Sequence, residues 1–168
     1  MPSQIRPARP EDVSAIQTIY AYHVAHGTGT FELEPPTVET MRSRFNALSG
    51  GDYPFLVATE TEEVIGFGYA GPFRDRPAYR YTVEDSIYLH PDKQGRGTGK
   101  LLLQRLIAES TERGFTQMLA VIGDSDNRAS IRLHATLGFE TTGTLQNVGF
   151  KFDRWLDVVL MQRALGNT

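Results

Sequence analysis

The sequence predicts one α/β domain, built on a mixed and mostly antiparallel sheet with helices on both faces. Three observations predict it. Apolar strand-like runs alternate with segments of helical periodicity in the order βαα-βββ-αβ-αββ. The polar stretch Glu60-Thr61-Glu62-Glu63 separates two of those runs and marks an antiparallel hairpin. No internal repeat, low-complexity tract or long linker interrupts the 168 residues, so a single domain over 1–168 is the simplest division.

Residues 5–8 make a short first strand, closed by Arg9-Pro10. Pro10, Glu11 and Asp12 then open a helix, since proline and acids suit a first turn, and Val13, Ile16, Tyr20 and Val24 keep one face apolar. Residues 27–36 form a loop, and Thr37 caps a second helix that runs to about Leu48 and stops at Gly50-Gly51. Strands follow over 55–59 and 64–70 and, after the loop GPFRDRPAYR, over about 81–89. The stretch QGRGTGK leads into a helix that ends near Arg113, with Gly114 as its stop. Residues 118–122 are five apolar residues without alternation, as expected of a strand covered on both faces. Asp126 or Asn127 caps a last helix, which ends at Leu137-Gly138, and two strands over 142–148 and 155–161 complete the chain.

Composition narrows the function. Hydrophobic residues make up 40% and charged residues 22%, as in an ordinary globular protein, and the net charge of −3 offers no footprint for nucleic acid or an anionic membrane. The opening MPSQIRPARPEDV lacks the apolar core of a signal peptide, and no apolar run approaches a membrane span. A cytoplasmic protein is expected. Without cysteine there is no disulfide, no thiolate nucleophile and no thiolate metal site. His23 and His26 are spaced i, i+3 but have no third ligand at a metal spacing. They read as cations at a helix C-terminus, and no metal is expected.

QGRGTGK, Gln94 to Lys100, carries the strongest chemical signal. A strand that enters a glycine-rich turn and becomes a helix exposes several backbone N–H groups at a positive dipole end, a ready site for phosphate. Arg96 and Lys100 add charge. A P-loop needs GxxxxGK[ST], but Gln94 stands where its first glycine belongs and Leu101 where its Ser/Thr belongs. A dinucleotide fingerprint needs GxGxxG, and Lys100 or Leu102 replaces its last glycine. The pattern that fits is Gln/Arg-x-x-Gly-x-Gly, with Gln94, Gly97 and Gly99.

In this position the pattern resembles the GNAT superfamily of acyl-CoA-dependent N-acetyltransferases. The likeness extends through IRPARPEDVSAIQTIY, TVEDSIYLHPDKQGRGTGKLLLQRLI, SDNRASIRLHATLGF and VGFKFDRWLDVVLMQ, which are similar to the phosphinothricin and methionine sulfoximine N-acetyltransferase branch. The resemblance implies a GNAT-like fold and acetyl-CoA as co-substrate. It implies an amino-acid-like acceptor, such as phosphinothricin or methionine sulfoximine, and a homodimer. It also assigns the loop residues Gln94, Gly95, Arg96, Gly97, Thr98, Gly99 and Lys100 to the diphosphate of the coenzyme. Ile87, Tyr88 and Leu89 would offer backbone to its pantetheine arm, joined by Asn127 and Ser130.

Direct transfer to the amine, in a ternary complex, is the economical mechanism for a chain without cysteine. Glu84 is the candidate base and an acceptor contact. A carboxylate within a strand of Val, Ile and Tyr is costly unless it sits in a cleft, and partial burial raises its proton affinity toward a useful value. Asn127, Ser130 and His134 share one helix face. His134 is the second catalytic candidate, as a cofactor contact or proton shuttle, although a purely structural histidine fits equally. Arg74 and Arg76 precede the Glu84 strand and suit a carboxylate of the acceptor, with Arg74 ahead. Phe31 is a candidate wall of the acceptor pocket. Two rival classes remain. Gly123-Asp124-Ser125-Asp126-Asn127 imitates a hydrolase nucleophile elbow but lacks its final glycine. A non-catalytic acyl-CoA sensor would keep the phosphate loop but has no need of Glu84 or the arginines. A GNAT enzyme acting on a different small amine is a further alternative.

Overall fold

The computed structural model describes residues 2–166. Seven strands form one sheet in the order β1-β2-β3-β4-β5-β7-β6. They are β1 (Gln4–Pro7), β2 (Phe55–Glu60), β3 (Glu63–Pro72), β4 (Thr82–Leu89), β5 (Gln117–Gly123), β6 (Glu140–Lys151) and β7 (Arg154–Ala164). The helices are α1 (Val13–His26), α2 (Val38–Gly50), α3 (Thr98–Glu112) and α4 (Arg128–Thr136). All pairings are antiparallel except β4 with β5, which the α3 crossover makes parallel. The expected α/β class, the mixed sheet and the two-sided helix cover are all present.

Local chemistry explains the element ends. Asp12 is buried at the entry to α1, where Arg6 grips it at 2.7 and 2.9 Å and the Arg9 amide donates to it at 2.7 Å. Thr37 accepts from the Thr40 amide at the start of α2, and Asn127 accepts from the Ser130 amide at the start of α4. The β2–β3 turn places Thr61 and Glu62 at φ 44° and 69°. The β6–β7 turn places Phe152 and Asp153 at 55° and 56°. Two consecutive positive φ values match the strand twist of a tight hairpin.

Two cores sandwich the sheet. On one face Leu102, Leu103 and Leu106 of α3 pack on Leu56, Ile65, Val83 and Met118. On the other, Val13, Ile16 and Tyr20 of α1 and Met41 and Phe45 of α2 pack on Phe55, Val57 and Phe67. Here one expectation fails. β5 is not covered on both faces: Met118, Ala120 and Ile122 are buried, whereas Val121 is 38% exposed. The reason is lateral. α1 packs mainly on β3 and β4 and α2 on β2, so the helix cover of this face is centred away from β5, and Val121 instead lines the gap beside β4. The last two strands are also longer than their apolar runs suggested, because β6 is an outer strand whose side chains mostly face solvent.

Leu106 is fully buried where α3 meets the sheet, within 3.2 Å of the position a side chain at Gly68 would occupy. Leu106→Ala is expected to cost about 2–5 kcal/mol, read from the urea midpoint at constant m-value.

Candidate active site

The site grows from one interruption of the sheet. β4 and β5 pair from Thr82↔Gln117 to Asp85↔Ala120, and there the register ends. Both strands continue, to Leu89 and to Gly123, with their facing edges apart. A cleft of about 500 Å³ fills the gap. Its walls include Ile87, Tyr88 and Leu89 from β4, Gln94, Gly95 and Gly99 from the turn into α3, and Asn127, Ser130 and His134 from α4. Nine of the residues marked from sequence therefore meet in one cavity, although they come from separate segments.

The turn into α3 has the form an anion site needs. Gly95 and Gly97 adopt φ 76° and 83°, and a side chain at either would meet nothing within 4 Å, so their amides are open to approach. Gly97 is the N-cap of α3, whose fifteen residues supply a dipole aimed at the turn. The adjoining cleft of about 500 Å³ is bordered by the turn and by the unpaired edge of β4, so these residues fit a diphosphate-bearing coenzyme. The individual side chains are placed less uniformly. Thr98 is buried with its hydroxyl 3.0 Å from that of Ser3, leaving only its backbone to the turn. Arg96 reaches Glu60 at 3.3 Å, alongside Lys93 at 2.9 Å. Lys100 is exposed on the first turn of α3, outside the cleft wall.

Glu84 and His134 lie on opposite faces of the sheet. The register puts Glu84 beside Gly71 on the α1/α2 face, while Asp85 points to the α3/α4 face and meets His134. Burial and then the charge of Asp85 raise the Glu84 carboxyl to about 7. His134 Nδ1–H donates to the Ser130 carbonyl at 2.7 Å, and Nε2 lies 2.9 Å from Asp85 Oδ1. Burial disfavours the charged ring, but the hydrogen bond and charge of Asp85 outweigh it, and its proton affinity is raised. Both nitrogens face acceptors, a setting that favours the protonated ring. The structure thus does not join His134 to Glu84 in one proton path. It joins α4 to β4 at the last pair before the strands part.

The acceptor candidates Phe31, Arg74 and Arg76 are not among the residues that line this cleft. The Phe31 ring lies between Gly123 and Gly149, where added side chains would approach it to 2.9 and 2.3 Å. Its loop is pinned at several points. Lys151 donates to the Thr30 carbonyl at 2.8 Å, and Thr28 donates to Asp124 at 3.2 Å. Arg74 and Arg76 are exposed on the β3–β4 loop, with the Arg74 guanidinium 5.1 Å from the Phe73 ring. Sequence reasoning missed two groups. Asp85 is marked by no motif in the sequence, yet it receives the His134 ring. His23 was read as a helix-end cation, yet its Nε2–H donates to the Leu89 carbonyl at 2.7 Å, and burial lowers its proton affinity. Neither contact leaves a local signal, because its partner is 49 or 66 residues away.

A sheet opened at this point, with a glycine-capped helix at one end of the gap, defines the acetyltransferase class. Residues 17–139 match the Acetyltransferase (GNAT) family, and the chain belongs to it as an N-acetyltransferase. Over 161 residues the chain is 47% identical to the phosphinothricin N-acetyltransferase of Alcaligenes faecalis, which covers 96% of this chain and 82% of that protein. It is 41% identical to the L-methionine sulfoximine/L-methionine sulfone acetyltransferase of Salmonella typhimurium, over 96% and 94% of the two chains. The crystal structure of a GNAT superfamily phosphinothricin acetyltransferase from Sinorhizobium meliloti, in complex with AcCoA, matches with a TM-score of 0.96. That protein is 46% identical, and the match covers 99% of this chain and 90% of that one.

The Asp85–His134 pair gives a signed prediction. A histidine whose proton affinity is raised on folding contributes stability fully below the unfolded value of 6.5, and loses it as pH rises through the folded value. His134→Gln should therefore be most destabilised relative to wild type near pH 6, and the gap should narrow toward pH 9. His134→Ala, which strands a buried carboxylate, should cost about 3–5 kcal/mol at pH 6 by urea denaturation.

Proposed function

We propose that the protein transfers the acetyl group of acetyl-CoA directly to the amino group of a small amino-acid acceptor of the phosphinothricin or methionine sulfoximine kind. One observation carries the reading. Glu84 is half-buried and holds its proton up to about 7, on the strand whose edge opens into the cleft. A base in that range is half-ionised near neutral pH.

The chain's residues divide the work. Amides of the turn at 94–100 receive the diphosphate of the coenzyme, and the freed edge of Ile87, Tyr88 and Leu89 pairs with its pantetheine arm. Asn127 and Ser130 line the opposite wall. A backbone N–H of that edge polarises the thioester carbonyl. Arg74 or Arg76 receives the acceptor's carboxylate, and Phe31 forms a wall of the acceptor pocket. Glu84 takes a proton from the acceptor's ammonium. The free amine then forms the new C–N bond as the C–S bond breaks, and the departing thiolate takes up a proton. Positioning supplies much of the acceleration, since the thioester is already activated. Asp85 and His134 position β4 and do not touch the acceptor.

Assembly and location belong to the same proposal. Val148, Phe150, Phe152 and Trp155 are each at least half exposed on the β6–β7 hairpin, an apolar surface that suits a second copy of the chain and hence a homodimer. No helix among the described residues is long and apolar enough to cross a membrane. We place the enzyme in the cytoplasm, acting on small molecules, and its net charge of −3 gives no electrostatic footprint for nucleic acid or an anionic membrane.

Thiol release from acetyl-CoA with an amino-acid panel is the direct assay. In wild type kcat/KM should rise with pH through an apparent value near 7, because the ionised carboxylate is the active form. Glu84→Gln should lose that limb and at least tenfold in kcat, while acetyl-CoA still raises its melting temperature. Full activity of this variant from pH 6 to 9 would remove Glu84 as the base. The same substitution carries an opposite effect on stability. A carboxyl whose proton affinity rises on folding destabilises the fold as pH increases from 4.5 through 7. Above pH 7.5 Glu84→Gln should thus be more stable than wild type, by on the order of 1–2 kcal/mol.

A further inference from the structure

The freed edge of β4 is not uniformly open. His90 N–H donates to the Ile65 carbonyl at 2.8 Å, and the carbonyls of Tyr88 and Ser86 lie within 3.2 and 3.1 Å of the side-chain positions at Gly66 and Gly68. Residues 86, 88 and 90 therefore turn their backbone groups toward β3. The alternation of an antiparallel pair turns those of Ile87 and Leu89 the other way, into the gap that β5 has left. One of these groups is occupied. His23 Nε2–H donates to the Leu89 carbonyl at 2.7 Å.

That bond is held from α1. The His23 ring is half-buried on the cleft wall, 5.4 Å from the Tyr22 ring and 5.5 Å from the Tyr88 ring. Burial lowers its proton affinity, so the ring is neutral near pH 7 and carries one N–H, which the Leu89 carbonyl fixes at Nε2. The edge then offers the cleft the Leu89 N–H and both backbone groups of Ile87, but not the Leu89 carbonyl.

The coenzyme's arm carries amide groups along a chain whose single bonds rotate freely. Holding the diphosphate at the turn does not by itself fix the register of those amides on the edge. Leu89 lies against the turn, its side chain 3.7 Å from where a Gly99 side chain would stand, so the arm enters the gap at Leu89 and its thioester lies toward Asp85. Alternate residues face the gap, so the next register is two residues away. A slip of that size toward the turn would withdraw the thioester by about 7 Å. It would also require an arm N–H to pair with the Leu89 carbonyl.

We infer that His23 sets the register of the coenzyme's arm on β4 by occupying the Leu89 carbonyl. The arm's amide N–H is directed instead to the Ile87 carbonyl, and the thioester stays at the inner end of the gap, nearer Glu84. His23 is thus a positioning residue that acts through β4 and does not touch the reacting atoms. The inference rests on the acetyl-transfer reading above and adds what keeps the thioester in reach of the base.

Two substitutions separate the donor from the ring. His23→Phe keeps a ring and removes the N–H, whereas His23→Gln keeps an N–H at similar reach. In thiol release with acetyl-CoA and the best acceptor of the panel, His23→Phe should lose on the order of tenfold to a hundredfold in kcat, with the KM for acetyl-CoA changed less than about threefold. His23→Gln should recover most of the loss. A second measurement needs no turnover: the infrared stretch of bound acetyl-CoA labelled with carbon-13 at its thioester carbonyl. Wild type and His23→Gln should share one band lowered by the edge N–H, and in His23→Phe it should move toward the frequency of free acetyl-CoA. A rise in melting temperature with acetyl-CoA verifies that each protein is folded and loaded, and His23→Leu replaces His23→Phe if the latter does not fold. An unchanged band in His23→Phe, or a band in His23→Gln that matches it, overturns the inference while leaving acetyl transfer intact. If wild type releases no thiol with any acceptor, acetyl transfer falls and the band alone decides the register. If wild type does not bind acetyl-CoA, both fall.

Discussion

The parting of β4 from β5 after the Asp85–Ala120 pair is the constraint on which the site depends. A parallel pair that ran on to Leu89 would satisfy its own amides and leave no gap. Opening it exposes edge groups that need other partners, and the fold supplies some of them. His23 reaches across from α1 to the Leu89 carbonyl, and His134 reaches from α4 to Asp85. One histidine on each face holds β4 in its diverging course. Gly123, at the far end of β5, lets Thr28 and Phe31 pack close to the opened edge.

The two faces of β4 serve different chemistry. The alternation of a strand sends Asp85 to the His134 ring on one face and Glu84 into a half-buried setting on the other. Neighbouring carboxyls thus acquire unlike environments from a single backbone rotation. The one compensated by histidine is structural. The other retains its proton to about 7 because burial, and secondarily its neighbour's charge, oppose ionisation. The stability given up at Glu84 is the reverse of what a salt-bridged carboxyl would contribute.

Much of the fold could be read directly because its signals are local. Thr37 and Asn127 are caps whose partners lie three residues away, and the Glu60–Glu63 turn closes a hairpin. The glycines of QGRGTGK declare a turn by needing positive φ. What escaped depends on position across the sheet. The exposure of Val121 follows from where α1 and α2 stop laterally, and five apolar letters in a row carry no such information. The same limit applies in the site. Spacing put Asn127, Ser130 and His134 on one helix face, and the cleft receives all three, but it could not show that the His134 ring turns to Asp85. Glu84 was found through its neighbours in sequence, whereas the close packing of Leu48 on Gly71 beside it follows only from the pairing of β3 with β4.

Glu60 sits at the end of β2 and bridges Lys93 and Arg96, so its single carboxylate offsets one of their two charges. On the proposed reading, the turn before α3 meets a diphosphate with oriented peptide dipoles and a reduced cationic charge, and only the charge that survives is open to screening by salt. Such a site would lose less of its hold on the coenzyme in rising salt than one lined by unpaired lysines.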